Sequence, residues 1–327
     1  MKRKQSRRKP VVTKRPRKRQ KQTKTVVPNF ENGKPRHDFA SRARLRPNDV
    51  RTLCWNSEHE KARKVVSPHM YEVGIAPILT EKIIHMCEQD GIMAMAGRLI
   101  AGKERLSRGM FKKKKLGGNE WTVQSPAFSS QSSNMHWLSP GKAAHDSMLH
   151  LLSDAGFDHC LQAMGKALRL NRLTVHQFTF LCVSKCEQAD VHTDTTLTGG
   201  KAYNLLIPLQ LSTDKNTPAE LEILGDVPYF EGKIEYRDVG SYKYETSTAI
   251  LFGDDALHAT DKVEFSGAGN FRLMLSILIG EVDNKNLSKV VDNFSENAYR
   301  LSNTQLRKVS HWSKNDSSVR LPTSESE

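Results

Sequence analysis

Five apolar segments rich in β-branched and aromatic residues occupy the second half of this 327-residue chain. They are LTVHQFTFLCV (173–183), AYNLLIPLQL (202–211), AELEIL (219–224), STAILF (247–252) and FRLMLSILI (271–279). This composition is typical of buried strands, and the glycines and aspartates between the segments favour tight turns. Two helical patterns precede the segments, at 141–157 and near 161–168. Helices followed by five or more strands predict an α+β fold, an antiparallel sandwich or barrel backed by helices.

The region before these helices carries weaker patterns. ILTEKIIHMCEQDG, at 78–91, is typical of a helix with Thr80 as its N-cap and Gly91 at its end. Residues 101–142 are rich in Gly, Ser and Lys, which favours long loops around short strands. We interpret the four lysines at 112–115 as a solvated loop, and the alternative is a contact for an acidic substrate.

The formal net charge of +14 is concentrated at the N-terminus. Residues 1–24 contain 13 Lys or Arg and no acid, and the rest of the chain contains 37 basic and 36 acidic residues. A segment with so few apolar residues cannot offset its ordering entropy, so we expect this tail to be disordered. KRPRKRQK is typical of nuclear import signals and of arms that bind nucleic acid. The tail therefore predicts nuclear localisation, with an import receptor or nucleic acid as partner; a solubilising tail on a cytoplasmic protein is the alternative.

Neither a membrane span nor a disulfide framework is expected. No apolar run approaches the ~18 residues that a span requires, and no apolar segment follows the basic start as it would in a secretory signal peptide. The five cysteines are odd in number and form no CxxC pair. This pattern favours a reducing compartment, with the thiols packed as small apolar groups.

These patterns divide the chain into four predicted regions. A disordered basic tail occupies 1–30, and a helical and loop region at 31–145 packs on the core. The β-rich domain spans 146–283, and a polar C-terminal extension at 284–327 could hold one helix.

A candidate metal site lies in EQADVHTDTTLTGG. His192 and Asp194 are two residues apart, so on an extended segment their side chains share a face. His258 is a candidate third ligand, 66 residues after His192 and just after the Gly-Asp-Asp turn at 253–255. Two histidines and one carboxylate form the facial triad that holds Fe(II) and leaves coordination positions open for oxygen chemistry. Zinc hydrolysis can use the same ligands, so the triad alone does not determine the reaction.

The strand FRLMLSILI has two contrasting faces. One face is apolar: Phe271, Leu273, Leu275, Ile277 and Ile279. Arg272, Met274 and Ser276 form the other. An unpaired guanidinium inside a barrel would be costly, and a carboxylate ligand would relieve that cost through charge-assisted hydrogen bonds. The alternatives are that Arg272 is exposed or pairs with an acidic residue of the protein.

Together these motifs resemble the Fe(II)/2-oxoglutarate-dependent dioxygenases, most closely their prolyl-4-hydroxylase-like branch. The resemblance covers roughly residues 146–280 and rests on VSKCEQADVHTD, KAYNLLIPLQL, AELEIL and AILFGDDALHA, followed by Arg272 on a strand. The sequence also departs from the family. SKCEQA lacks the Tyr and Gly that often precede HxD, and Arg272 replaces the Lys of animal collagen-type enzymes. Met274 replaces a Ser of plant-type relatives, and Leu278 replaces a second Arg of nucleic-acid demethylases.

The resemblance implies a double-stranded β-helix of the jelly-roll type at 146–283, backed by helices. It implies three metal ligands: His192, Asp194 and His258. The cosubstrate 2-oxoglutarate would chelate the iron and place its far carboxylate against Arg272. Tyr203 is the expected second donor to that carboxylate, and Asn204 replaces it if the strand has the opposite register. Fe(II) and 2-oxoglutarate are the implied cofactors, with ascorbate as a candidate auxiliary reductant.

The implied reaction is hydroxylation of an unactivated C–H bond by O2, with release of succinate and carbon dioxide. A peptidyl proline is the default substrate by resemblance. Other proteins, small metabolites and nucleic acids stay open, because the loops at 101–142 and 225–246 contain no readable specificity signal. Two other function classes stay open: a non-catalytic β-helix binding protein, and a nuclear nucleic-acid-associated protein that acts through its basic tail.

Overall fold

The computed structural model describes residues 50–52, 70–126, 133–170, 173–187, 192–195, 198, 200–211, 220–228, 234–253, 256–266 and 270–281. The predictions for the N-terminal tail and the C-terminal extension lie outside these residues. Four helices are described: α1 (Pro77–Gln89), α2 (Ile92–Ile100), α3 (Lys142–Asp154) and α4 (Phe157–Leu168). The described strands before α3 are β1 (Val50–Thr52), β2 (Met70–Gly74), β3 (Phe111–Leu116), β4 (Asn119–Gln124) and β5 (Asn134–Pro140). After α4 come β6 (Leu173–Cys186), β7 (Ala202–Gln210), β8 (Glu220–Pro228), β9 (Ile234–Lys243), β10 (Thr248–Gly253), β11 (His258–Thr260), β12 (Val263–Glu264) and β13 (Arg272–Glu281).

All five strands that the apolar segments predict are present, as β6, β7, β8, β10 and β13. They form two antiparallel sheets. The large sheet has ten strands in the order β1-β2-β10-β7-β13-β6-β5-β4-β3, with β12 paired to β6. The small sheet has the order β11-β8-β9. Strands on both sides of residue 145 therefore belong to the same large sheet.

The chain alternates between the two sheets. It passes from β6 in the large sheet to His192, which bridges to His258 at the start of β11 in the small sheet. It returns to the large sheet as β7 and then enters the small sheet as β8 and β9. After that, β10 lies in the large sheet, β11 in the small sheet and β13 in the large sheet. This mostly antiparallel arrangement with four described helices is consistent with a β-helix core.

The large sheet buries a different set of side chains on each face. On β13, Leu273, Leu275 and Ile277 pack into the main hydrophobic cluster with the helices. Met274 belongs to a second cluster on the opposite face, and Arg272 is buried on that same face. The two-face pattern predicted for this strand is therefore confirmed, because a strand alternates its side chains between the faces of a sheet.

Helix α1 confirms the predicted helix at 78–91, but its N-cap differs from the prediction. The N-cap is Ala76, and Pro77 occupies the first turn. Thr80 lies inside the helix and is buried with Leu79. Proline at the first helical position has the φ that a helix needs and lacks only an N–H that would be unsatisfied, so the helix begins there. The following helix, α2, was not predicted.

The region 101–142 contains the short strands that were predicted, but the interpretation of the four lysines as a loop is wrong. Lys112–Lys115 belong to β3, which pairs along its whole length with β4. The strands are joined by Gly117 and Gly118, which have φ angles of 58° and 85°. Two residues with positive φ form the tight hairpin turn that matches the twist of antiparallel strands. Trp121 and Val123 of β4 are buried, which fixes the hairpin against the core.

Four of the five cysteines are described, and all four are buried, as the sequence predicts. Cys54 lies outside the described residues. In the part of the chain that the structure describes, no helix has the length and apolar character that a membrane crossing requires.

Candidate metal centre

His192, Asp194 and His258 meet because of one backbone pairing. His192 and His258 form an isolated antiparallel bridge, in which each backbone N–H donates to the other carbonyl at 3.1 Å. Their rings lie 4.5 Å apart between centroids. Asp194 follows two residues later and points to the same side. One ligand atom from each of the three side chains lies within 4.8 Å of the others, a separation that one metal ion can span.

The segment after Asp194 is held by side chains that replace regular strand pairing. Thr198 Oγ1 accepts hydrogen bonds from the backbone N–H groups of Lys201 and Ala202, both at 3.2 Å. Thr195 Oγ1 donates to the carbonyl of Ala202 at 3.4 Å. These bonds connect the candidate ligand to the start of β7, and they make the position of Asp194 depend on the large sheet.

The carboxylate of Asp194 is oriented by a chain of hydrogen bonds. Asn204 Nδ2 donates to Asp194 Oδ2 at 2.5 Å, and Ser276 Oγ donates to Asn204 Oδ1 at 2.8 Å. The other oxygen, Oδ1, lies 3.3 Å from His192 Nε2 and 3.8 Å from His258 Nε2. Asn204 and Ser276 therefore direct one carboxylate oxygen toward the two imidazoles.

The protonation states suit a divalent cation. Burial opposes ionisation of Asp194, but the hydrogen bond from His192 and the charges of both histidines outweigh it, so its pKa lies below its ordinary value. Burial lowers the pKa of His258, which favours the neutral ring. His258 Nδ1 lies 2.8 Å from the carbonyl of Ala256, so Nδ1 carries the hydrogen and Nε2 presents its lone pair to the site. Metal ligands must be deprotonated in this way.

Access to the three ligands is uneven. The His258 side chain is 4% exposed and contacts Phe252, with ring centroids 4.3 Å apart. The side chains of Asp194 and His192 are 21% and 38% exposed. A metal held here would be supported by the protein on one side and accessible on the other, as a site with open coordination positions requires.

Arg272 is buried at 3% exposure and faces the same cavity. Its Nε and Nη1 have no hydrogen-bond partner among the residues whose side chains the structure describes. Its guanidinium carbon lies 5.1 Å from the ring centroid of Tyr244. Neither alternative from the sequence, an exposed Arg272 or one paired with an acidic residue, is found among the described residues. A buried guanidinium with unpartnered nitrogens can bind an anion through charge-assisted hydrogen bonds.

The triad and Arg272 line one cavity of about 220 Å³. Its remaining walls are largely apolar, with Leu181, Leu206, Phe252 and Met274 among the lining residues. Apolar walls exclude water and strengthen the electrostatic attraction between the guanidinium and an anion. The cavity therefore brings three potential metal ligands and a buried guanidinium together in one space.

The two predicted carboxylate donors on β7 lie on opposite sides of the sheet. Tyr203 lies in the main core, with its ring centroid 6.3 Å from that of Tyr71, and it does not line the cavity. Its ring approaches Gly253 so closely that a Cβ there would lie 2.7 Å from a ring carbon. Asn204 lines the cavity, but its amide nitrogen is bonded to Asp194. The register of β7 thus places Asn204, and not Tyr203, on the cavity side of the sheet.

Three other residues contribute to the site although no function was predicted for them from the sequence. Tyr244 follows β9 and stacks on Arg272; burial raises its pKa to about 12, although Arg272 opposes the rise. Ser276 is hydrogen-bonded to Asn204. Gln177 is 3% exposed and lines the cavity, and its Oε1 has no partner among the described residues. The alternation of β6 and β13 could have identified Gln177 and Ser276, whereas Tyr244 lies in a segment without regular alternation.

Comparison with known proteins gives results for solved structures only. No protein-family model matches the chain, and no curated protein matches it. Similar structures include an oxidoreductase of the 2OG-Fe(II) oxygenase family from Burkholderia pseudomallei, with 13% identity, 64% of this chain and 85% of that chain covered, and a TM-score of 0.36. A prolyl hydroxylase from Trichoplax adhaerens, in complex with a hypoxia inducible factor peptide fragment, has 13% identity, 67% and 86% coverage, and a TM-score of 0.38.

HygX from Streptomyces hygroscopicus, with nickel, 2-oxoglutarate and hygromycin B bound, has 11% identity, 65% and 83% coverage, and a TM-score of 0.38. These identities and TM-scores are too low to transfer any chemistry, so the chemistry of the site has to be inferred from the residues of this chain. The similar structures include 2OG-Fe(II) oxygenases and a prolyl hydroxylase, which are the proteins that the sequence motifs resemble.

Proposed function

We propose that this protein is an Fe(II)- and 2-oxoglutarate-dependent dioxygenase that hydroxylates an unactivated C–H bond. The observation that carries the proposal is the cavity that a two-histidine, one-carboxylate cluster shares with a buried, unpaired guanidinium. The cluster fits Fe(II), and the guanidinium fits the far carboxylate of 2-oxoglutarate. In this proposal the two sheets form a double-stranded β-helix of the jelly-roll type around the cavity.

His192, Asp194 and His258 would hold the metal, because they are the described residues whose ligand atoms converge. Iron bound with 2-oxoglutarate would supply the oxidising chemistry, in which O2 gives one oxygen atom to the product and one to succinate as carbon dioxide leaves. Asn204 and Ser276 act as positioning residues for Asp194. Their loss would rotate the carboxylate and weaken the metal site.

Arg272 would fix the cosubstrate by charge-assisted hydrogen bonds from its guanidinium to one carboxylate. Stacking on Tyr244 holds the guanidinium plane in place, and burial raises the pKa of Tyr244 to about 12, still further above physiological pH, so the phenol is neutral. A neutral phenol adds no negative charge that would repel a dicarboxylate. The far carboxylate of the cosubstrate would thus be bound by a fixed cation in apolar surroundings.

The anion site favours this reaction over zinc-dependent hydrolysis. A hydrolase needs the metal and a water molecule, and its reaction does not require a buried guanidinium in the same cavity. A dioxygenase that uses 2-oxoglutarate needs both sites at once. The reaction proposed here therefore accounts for Arg272 as well as for the triad.

The primary substrate in this proposal is a peptidyl residue, with proline as the default by resemblance. Ascorbate is proposed as the reductant that returns the metal to its ferrous state. Nuclear localisation through the basic tail remains a prediction from the sequence, and so does an import receptor or nucleic acid as its partner.

The test is anaerobic binding of Fe(II) and 2-oxoglutarate, followed by a succinate assay after O2 is admitted. We expect one Fe(II) per chain, binding of 2-oxoglutarate that depends on the metal, and formation of succinate. His192→Ala should abolish all three, and the exposed Lys142→Ala is a matched control that should change none. Binding of 2-oxoglutarate without any succinate, even with peptide and metabolite pools present, would instead indicate a non-catalytic binding protein.

A further inference from the structure

Among the described residues, positive charge is concentrated at and just before the hairpin of β3 and β4. Residues 103–120 contain seven Lys or Arg and two Glu, a net charge of +5. Residues 25–327 as a whole carry only +1, so the remainder of that region is net acidic. Four of the cations are consecutive in β3, which lies at the end of the large sheet.

One face of β3 is continuous with the cavity wall. Phe111 is opposite Gln124 of β4, and Gln124 is opposite Trp137 of β5. Residues directly opposite each other in antiparallel strands point to the same side of the sheet. Gln124 and Trp137 line the cavity, so Phe111 and the lysines that alternate with it, Lys113 and Lys115, share that side. The hairpin therefore extends the cavity wall outward.

Burial along this surface decreases from the cavity to the edge. Gln177 of β6 is buried, Trp137 and Gln124 are half-buried, and Phe111 is 55% exposed. Met110, next to Phe111, is 56% exposed. Among the described residues only three large apolar side chains are exposed, and these are two of them. Adjacent exposed apolar groups beside a cavity are typical of an interaction site.

The lysines of β3 are only partly neutralised. Lys113 pairs with Glu120 at 2.8 Å, and Lys114 pairs with Glu104 at 2.6 Å. Lys112 donates to a backbone carbonyl, and Lys115 has no carboxylate partner among the described residues. Because neighbouring residues alternate in a strand, Lys112 and Lys115 lie on opposite faces of the sheet.

We propose that the outer edge of β3 binds an extended acidic segment of a peptide by strand addition. Among the described residues, no strand pairs with that edge, so its N–H and C=O groups are a template for another strand. An added strand presents side chains to both faces and can contact Lys112 and Lys115 together. A nucleic-acid backbone lying on one face would contact only alternate lysines. The assignment of this peptide as the substrate rests on the proposed function, but the binding surface does not.

The width of the large sheet determines how far the peptide-binding edge of β3 lies from the triad. Five strand spacings separate β3 from β7, which carries Asn204 beside the triad. At about 4.8 Å per spacing this is about 24 Å, or about seven residues of extended chain. The acidic segment is therefore expected about seven residues or more from the residue that enters the cavity.

The test measures binding of a fluorescent peptide of about twelve residues that alternates Glu and Thr, long enough to pair along the whole of β3. Two protein variants are compared with the full-length wild type. Lys112→Glu/Lys115→Glu alters the edge, and Lys142→Glu/Lys166→Glu makes the same change in charge at exposed positions on α3 and α4. A third comparison uses wild-type protein and the same peptide N-methylated at every residue, which removes the N–H donors from both of its edges. Metal and 2-oxoglutarate are omitted, so the result is independent of iron binding and turnover.

We expect the dissociation constant to rise about tenfold for the edge variant, and about tenfold for the N-methylated peptide, with little change for the control variant. Equal affinity of the edge variant and the control variant would overturn the proposal. So would undiminished binding of the N-methylated peptide, a result that does not depend on whether the edge variant folds. Tighter binding of oligothymidylate of equal charge, lost in the edge variant, would overturn it in favour of a nucleic-acid surface.

Discussion

Replacing Arg272 by Met separates the two roles that the structure gives this side chain. In the ligand-free protein Arg272 is a buried cation with two unpartnered nitrogens among the described residues. Such a charge costs several kcal/mol, and its stack on Tyr244 recovers part of that cost. Methionine has a similar length and no charge. We therefore expect Arg272→Met to raise the free energy of unfolding of the ligand-free protein by about 1–3 kcal/mol.

The same substitution should remove the response to 2-oxoglutarate. Losing one partner of a buried ion pair costs about 3–5 kcal/mol, which corresponds to a dissociation constant about 10²–10⁴ times higher. At a 2-oxoglutarate concentration of about 100 times its wild-type dissociation constant, the wild-type protein gains about 2.7 kcal/mol. The variant should gain about 0.4 kcal/mol or less under the same conditions.

Urea unfolding under anaerobic conditions with Fe(II), with and without 2-oxoglutarate, measures both effects. Arg98→Met is the matched control, because Arg98 is exposed on α2 and lies outside the cavity lining. The reasoning is refuted if Arg272→Met destabilises the ligand-free protein and leaves the stabilisation by 2-oxoglutarate intact. That result would mean that the guanidinium stabilises the fold and binds no carboxylate.

Three further predictions concern the metal and the histidines. His192→Ala should lower the Fe(II) stoichiometry measured by anaerobic titration from one per chain to zero, and retention of one tight site would contradict the ligand assignment. Asn204→Ala and Ser276→Ala should each weaken Fe(II) affinity by about 10–100-fold while leaving the fold intact by circular dichroism, because they orient Asp194 without binding the metal. Burial lowers the pKa values of His136 and His145 to about 4, whereas a histidine in the unfolded chain has a pKa of about 6.5. Between these two values the unfolded chain binds more protons than the folded protein does. The free energy of unfolding should therefore fall as pH decreases from about 6.5 to 4, by up to about 1.4 kcal/mol per pH unit for each histidine; His136→Gln should reduce that slope, and an unchanged slope would contradict the assignment.

The alternation of β13 shows what local sequence can predict. Arg272, Met274 and Ser276 were expected on the face opposite Leu273 and Leu275, and the structure places them so. A strand has a period of two whatever its surroundings, so its two faces can be assigned before its partners are known. The same local reasoning paired His192 with Asp194. It did not show whether His258 would reach them.

The remaining features of the site depend on which strands pair with each other and in what register. Tyr203 and Asn204 are adjacent in the chain, and only the register of β7 between β10 and β13 turned Asn204 into the cavity and Tyr203 into the core. Tyr244 reaches Arg272 although it follows the end of β9, where no alternation identifies a face. The lysines of β3 form a strand because β4 supplies the partner, and the Gly-Gly turn that joins them was hidden by the polar composition around it.

The sequence by itself determined the strand segments, the faces of β13, the candidate ligand types and the concentration of charge in the basic tail. Each of these depends on residue type and on spacings of two to four residues, which the backbone geometry fixes locally. Only the tertiary structure decided that the triad converges, that Arg272 is buried without a partner among the described residues, and that β3 forms an edge of the sheet. These features depend on which distant strands pair and in what register, and such pairing is selected by the packing of the whole core.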